Sequence, residues 1–235
     1  MTDIASPASP DGARRILQGD LLDFTGDPGF ATPQESPGVR WRPAHRVLID
    51  AGRIAAVLSP EEALPAGWEG VPVESQAGKV ILPGFIDTHV HCPQLDVIAS
   101  YGTELLDWLN TYTFPAERRY ADPAVSHEGA HRFLNALWAH GTTSAVVFPT
   151  VHKISAQALF ETAAAQQMRM ITGKVLMDRN APDGLRDDVV QAEADCVDLI
   201  DRWHGRDRQA FAVTVRFAPT STPEQLQMAG RLCQT

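Results

Sequence analysis

The chain has 235 residues, of which 44% are hydrophobic and 21% are charged, and its formal net charge is −9. These fractions are ordinary for a soluble globular protein of one or two domains. Because no basic stretch offsets the negative charge, the sequence argues against a nucleic-acid or anionic-membrane partner. A small uncharged or cationic substrate fits this charge better.

The cysteines of the chain are Cys92, Cys196 and Cys233. They are odd in number and far apart, so they suit neither a disulfide framework nor a Cys-x-x-Cys metal site. The first residues lack the apolar core of a signal peptide, and no apolar run approaches the length of a membrane span. We therefore expect a soluble, cytoplasmic protein.

The N-terminal third of the chain is predicted to be rich in β structure, after a disordered lead over residues 1–13. Residues 16–22 have strand character, and residues 47–58 read as a hairpin with its turn at Ala51 and Gly52. Residues 24–45 are dense in Gly, Pro and Ser, which predicts a long loop. We interpret residues 14–78 as a small β unit that carries no chemistry of its own.

Strands and helices alternate from residue 79 onward. The predicted strands are the run ending at His91 and residues 142–148, 170–177 and 211–217; the predicted helices are residues 155–167, about 189–204, and 223–233. Ser155 and Thr222 are candidate N-caps. This alternation indicates right-handed βα crossovers and a parallel sheet, which is an α/β fold.

Four βα units are visible, whereas a closed (β/α)8 TIM barrel needs eight. The segment is either a small open α/β sheet or part of a barrel. Because the chain stops at Thr235 just where a fifth strand is due, we favour a partial TIM barrel, with residues 79–235 as its first half.

The most informative segment runs from Pro83 to His91 and ends in two histidines one residue apart. Alternate residues of a strand point to the same face, so His89 and His91 would present two neighbouring imidazoles. An apolar run leads in and a polar turn leads out, as in a buried parallel strand that delivers ligands at its C-terminal end. The pattern favours a zinc site over two histidines on an exposed face.

Two rival kinds of metal site can be weighed from the same residues. Cytidine-type enzymes use His-x-Glu with Pro-Cys-x-x-Cys, but the sequence has no Cys-x-x-Cys. One class of binuclear metal hydrolases uses a carbamylated lysine at the end of the fourth strand, whereas here the fourth strand holds no lysine and Lys174 falls within the third. One metal ion is therefore predicted.

Several segments together resemble the guanine deaminase family of the amidohydrolase superfamily, from about residue 79 to the end of the chain. They are residues 83–91, 91–94, 106–117, 173–178 and 215–219. Enzymes of that superfamily are metal-dependent hydrolases, and the resemblance implies their architecture: a TIM barrel and a small β-sandwich assembled from both chain ends. Residues 14–78 would then be part of that sandwich.

The resemblance implies a zinc-dependent hydrolysis of guanine to xanthine and ammonia in purine catabolism. His89 and His91 would be metal ligands, with iron as an alternative to zinc because imidazole suits both. His91, Gln94, Arg216 and Phe217 would bind the purine, since an amide and a guanidinium match its polar edges. A homodimer is implied for the full-length enzyme.

Guanine deaminases continue through a second half that holds further metal ligands and the acid/base residues. The chain is thus expected to be an N-terminal portion with no catalytic acid or base before Thr235, and to be inactive alone. The alternatives are another deaminase of the superfamily, acting on a purine, pterin or triazine, or a non-catalytic fragment.

Overall fold

A computed structural model describes residues 14–30, 36 and 38–234. The predicted lead over residues 1–13 lies outside these described residues. The chain divides into two compact units, Met1–Pro83 and Gly84–Thr235. No helix in the described ranges combines the length and the apolar character that crossing a membrane requires.

The first unit contains a four-stranded sheet. Its strands are β1 (Arg15–Phe24), β2 (Val39–Asp50), β3 (Arg53–Leu58) and β4 (Val73–Ile81), in the order β3-β2-β1-β4. β2 pairs antiparallel with β1 and β3, and β4 pairs parallel with β1. Ile16, Leu48 and Trp68 form the buried cluster of this unit.

Two details of this sheet correct or explain the sequence prediction. The predicted loop over residues 24–45 is wrong from Val39 onward, because that segment pairs with β1 through the register Phe24 to Val39. The predicted turn between β2 and β3 is present: Ala51 and Gly52 both have positive φ, at 47° and 71°. Two left-handed residues suit a tight hairpin, whose twist then matches that of the strands.

The second unit is an α/β structure. Its strands are β5 (Phe85–His91), β6 (Thr142–Phe148), β7 (Arg169–Thr172), β8 (Val175–Leu176), β9 (Gln209–Phe211) and β10 (Thr214–Val215). Its α-helices are α1 (Leu105–Trp108), α2 (Phe114–Arg119), α3 (Pro123–Ala139), α4 (Lys153–Ala165), α5 (Val189–Trp203) and α6 (Pro223–Leu232). The strands form a parallel sheet in the order β5-β6-β7-β9, and β8 pairs parallel with β10.

The predicted strands over residues 170–177 and 211–217 are each interrupted, which corrects the sequence prediction. A Cβ added to Gly173 would lie 2.0 Å from the carbonyl oxygen of Ala212, so the two backbones approach too closely for any side chain there. The Ala212 N–H donates to the Thr172 carbonyl at 3.0 Å. Both strands therefore break at the same level and resume as β8 and β10.

The helix starts follow the sequence in one case and depart from it in another. Thr222 caps α6 as predicted, since its hydroxyl accepts the Gln225 N–H at 3.2 Å. The predicted cap Ser155 instead lies inside α4, which begins at Lys153. Its hydroxyl donates to the His152 carbonyl and accepts the Thr150 N–H, so it ties the preceding loop to the helix.

Candidate functional site

The two histidines of the Pro83–His91 segment lie at the C-terminal end of β5. The pairing of β5 with β6 shifts register between Asp87 and Val90. At this irregularity Asp87 Oδ1 accepts the His89 backbone N–H at 3.0 Å. The carboxylate thereby satisfies a backbone donor at the place where the strand pairing is interrupted.

The imidazoles of His89 and His91 lie side by side against an aromatic ring. Their centroids are 5.2 Å apart, and the Phe148 ring at the end of β6 lies 5.0 Å from His89 and 4.7 Å from His91. Burial, reinforced by the positive charge of Arg216 and by His89, lowers the pKa of His91 to about 4. His91 is therefore neutral at physiological pH, which is the form that binds a metal.

These two side chains could hold part of a metal centre. The Nδ1 of His91 is buried without a hydrogen-bond partner, so a ligand-capable nitrogen is left unsatisfied. Over the part of the chain that the structure describes, no cluster of three or more His, Cys, Asp or Glu side chains forms. Because a catalytic zinc takes three protein ligands, the described residues supply an incomplete set.

A groove of about 820 Å³ runs along β5 and contains both histidines. Gln94, in the short 3₁₀ turn Cys92–Val97, lines the same groove, as do Asp87 and Trp108. Within the described residues the Gln94 amide makes no hydrogen bond to protein. Its donor and acceptor are therefore free to meet a ligand in the groove.

Arg216, just after β10, forms a buried ion pair with Glu117 of α2. Its Nη1 donates to both carboxylate oxygens at 2.8 Å, and the side chains are only 8% and 1% exposed. The guanidinium carbon also lies 5.4 Å from the centre of the Phe114 ring. Burial raises the Glu117 pKa, although the charge and the hydrogen bond of Arg216 oppose that rise.

A second buried ion pair joins Lys174, in the break between β7 and β8, to Asp187. The other carboxylate oxygen of Asp187 accepts the Met177 N–H at 3.1 Å. Burial, assisted by the charge of Lys174, lowers the pKa of His152, whose Nε2 is buried without a partner. This pair holds the loop after β8 against the strand break.

Two other polar or aromatic residues at the strand ends have different surroundings. Asp178 accepts the backbone N–H of Thr222 at 2.7 Å and also its hydroxyl hydrogen, so it anchors the start of α6. Phe217, predicted to contact substrate, is 51% exposed. The described structure brings His89, His91 and Gln94 to one groove and sets Arg216 near His91, while Phe217 remains on the surface.

Comparison with known proteins gives a family and a set of relatives. Residues 80–234 match the model of the Amidohydrolase family. The chain belongs to the amidohydrolase family. It is 51% identical to the guanine deaminase of Escherichia coli K12 over 219 residues, which is 93% of this chain and 49% of that protein.

Solved structures of the family agree with this relationship. The guanine deaminase of Bradyrhizobium japonicum superposes with a TM-score of 0.89 at 34% identity, over 94% of this chain and 48% of that one. The guanine deaminase of C. acetobutylicum with bound guanine gives 0.83 at 27% identity, over 94% and 51%. This amidohydrolase chain spans about half the length of the relatives it matches. The family resemblance that its motifs predicted is confirmed.

Three residues of this region carried no role in the sequence analysis. Phe148 backs both imidazoles, Glu117 binds Arg216 and Asp187 binds Lys174. The one usable signal was at Glu117, a carboxylate within the run Phe-Pro-Ala-Glu, where an apolar helix start buries an acid. An acid in such a run needs a cation as partner, but the sequence does not say which one.

Proposed function

We propose that this chain is the N-terminal portion of a guanine deaminase, which hydrolyses guanine to xanthine and ammonia. The observation that supports this proposal most directly is the pair of neighbouring imidazoles of His89 and His91 at the end of β5. The His91 imidazole is held neutral and lies near the buried guanidinium of Arg216. The similarity to several proteins named guanine deaminase supports the choice of substrate.

His89 and His91 would hold one zinc ion, or iron in its place, together with ligands from outside the described residues. Bound there, the metal would supply Lewis acidity and lower the pKa of water toward neutrality. The chain's own contribution is to keep the His91 imidazole deprotonated through burial and to orient both rings. Phe148 orients them by packing on one side of both rings.

Gln94, Arg216, Phe217 and His91 would bind the purine. The free amide of Gln94 can donate to a ring nitrogen and accept from an N–H group. The guanidinium of Arg216 suits the O6 and N7 acceptors of guanine, because its fork matches two adjacent acceptors. Phe217 offers a ring face on which a base can stack.

The architecture and setting form part of the proposal. The four parallel strand positions of the second unit support the first half of a (β/α)8 barrel over residues 79–235, and residues 14–78 would be part of a β-sandwich. The acid and base of the reaction would lie outside this chain. We place the complete enzyme in the cytoplasm as a homodimer.

The test uses the protein extended to the length of its relatives. We expect about one zinc or iron per chain and release of ammonia from guanine, and loss of both in His89→Ala and His91→Ala. His131→Ala, an exposed histidine of α3, is the matched control and should keep both. The 235-residue chain should not turn over guanine, because two ligands are too few for a catalytic zinc.

An extended protein that binds metal but releases ammonia only from another purine, a pterin or a triazine would overturn the substrate. Full guanine turnover by the His91→Ala variant would overturn the site.

A further inference from the structure

Glu117 has no role in the proposed reaction. It is fully buried in α2, yet it is ionisable and lies 99 residues from its partner in the chain. Within the described residues Arg216 Nη1 is its sole hydrogen-bond partner. Burying a carboxylate is costly unless a cation compensates it, so the position is explained by what Glu117 does to Arg216.

The geometry of this pair is unusual for a salt bridge between arginine and glutamate. Both carboxylate oxygens accept from the single nitrogen Nη1, at 2.8 Å each, whereas the common arrangement engages two guanidinium nitrogens. In the described part of the chain, Nε and Nη2 of Arg216 have no protein acceptor, and neither atom is completely buried. One edge of the guanidinium therefore remains available to a ligand.

The guanidinium is fixed from more than one side. The Arg216 backbone N–H donates to the Leu176 carbonyl at 3.1 Å, and the Phe114 ring lies 5.4 Å from the guanidinium carbon. Phe114 and Glu117 are both in α2, one helical turn apart. A single helix thus supplies both the anion and the aromatic surface that hold the cation.

We infer that Glu117 is a positioning residue, which holds Arg216 through Nη1 so that Nε and Nη2 can bind the oxo edge of the purine. This inference rests on the proposed function, because it assigns Arg216 to the substrate of that site. Glu117 itself does not touch the substrate. It sets the orientation of the guanidinium and offsets its charge beside His91.

The test measures guanine deamination by the extended protein and by its Glu117→Gln variant. The amide keeps the size of the side chain but removes the charge and one acceptor. We expect KM for guanine to rise about ten- to a hundredfold, the usual effect of losing a hydrogen bond to a charged group. kcat should change much less, because the interaction is with the bound purine in both ground and transition states.

A double-mutant cycle separates positioning from a structural role. If Glu117 acts through Arg216, then Glu117→Gln should raise KM in the wild-type background but not in an Arg216→Met background. Glu193→Gln is the matched control: Arg231 Nη2 donates to both Glu193 oxygens at 3.1 Å, the same pattern on the exposed surfaces of α5 and α6. This control should leave KM unchanged.

Glu117→Asp guards against a folding defect, because it keeps the charge and shortens the side chain by one methylene. We expect a smaller KM rise at an unchanged unfolding midpoint. An unchanged KM in Glu117→Gln, or an equal rise from Glu117→Gln in both backgrounds, would overturn the inference while leaving the proposed function in place. A wild-type extended protein that does not deaminate guanine would overturn both.

Discussion

Two ion pairs, one from each unit, differ both in geometry and in burial. In the first unit, Arg15 and Glu74 form a two-bonded fork at 2.8 and 2.7 Å, yet their side chains are 41% and 40% exposed. In the second unit, the side chains of Lys174 and Asp187 are 3% and 7% exposed. The two-bonded fork does not make the exposed pair the more important one for stability, because water screens its charges.

Exposed and buried ion pairs therefore have different significance in this chain. The exposed pairs of the first unit join strands of a sheet in which we find no candidate site. Of the buried pairs of the second unit, Arg216 with Glu117 lies near His91, and Lys174 with Asp187 lies at the break before β8. Charges that a fold keeps away from water despite the cost of burial are candidates for a role beyond stability.

The largest expected effect is at the pair of Lys174 and Asp187. Lys174→Met leaves the Asp187 carboxylate buried without its cation, and we expect the free energy of unfolding to fall by about 3–5 kcal/mol. Urea unfolding of the 235-residue chain followed by circular dichroism measures the change. A loss below about 1 kcal/mol, which is the range for exposed pairs, would mean that the buried pair contributes no more to stability than an exposed one.

Two further measurements check the cause of that loss. Adding Asp187→Asn to Lys174→Met removes the unpaired charge and should recover most of the stability. Burial already raises the Asp187 pKa against the pull of Lys174, and removing the lysine should raise it further. A carboxyl with a raised pKa binds a proton more tightly in the folded state, so the Lys174→Met deficit should shrink as the pH falls through the folded pKa.

A smaller effect is expected at the exposed fork. Glu74→Gln removes the charge that pairs with Arg15, and we expect a loss of about 0.2–1 kcal/mol, as measured for exposed pairs. Raising the salt concentration should reduce the difference further, because exposed charges are screened. A loss as large as that of Lys174→Met, or one insensitive to salt, would show that burial does not govern the comparison.

The parts of the structure that the sequence predicted well depend on local patterns. The predicted strand over residues 142–148 coincides with β6, because a β-branched apolar run that is buried between neighbours has clear limits. The placing of two imidazoles side by side follows from the alternation of residues along β5. Thr222 was identifiable as a cap because its hydroxyl precedes a proline at the helix start.

The parts that escaped prediction depend on contacts between distant segments. The breaks after β7 and β9 arise where Gly173 meets the Ala212 carbonyl, and nothing near either residue signals the other. The partner of Arg216 lies 99 residues away in α2. Val39 to His45 pairs with β1 despite the prolines and glycines that surround it, because tertiary pairing overrides local propensity.

The smallest loss of stability is expected at an exposed ion pair inside the second unit, where location and burial can be told apart. His127 Nε2 and Glu161 Oε2 are 2.9 Å apart, joining α3 to α4, with side chains 43% and 40% exposed. The hydrogen bond with Glu161, together with one to the Pro123 carbonyl, raises the His127 pKa. Partial burial pulls the Glu161 pKa upward, but hydrogen bonds from Gln157 and His127 lower it overall.

The signs of these shifts define a pH window. A histidine with a raised pKa stabilises the fold below its unfolded pKa of about 6.5, and this stabilisation is lost as the pH rises through the folded pKa. A glutamate with a lowered pKa stabilises above about 4.3, and this is lost as the pH falls through its folded pKa. Both contributions are present together between about pH 4.3 and 6.5.

We therefore expect His127→Gln to cost a few tenths of a kcal/mol (about 0.2–0.5) at pH 5.5 and less at pH 8.5, measured by urea unfolding. A loss of several kcal/mol in the free energy of unfolding, or one that grows toward pH 8.5, would contradict this expectation. The contribution of an ion pair would then depend on the unit that contains it and not on its burial. The expected small, salt-sensitive cost would group this pair with Arg15 and Glu74. Burial would then distinguish these two exposed pairs from the two buried ion pairs of the second unit.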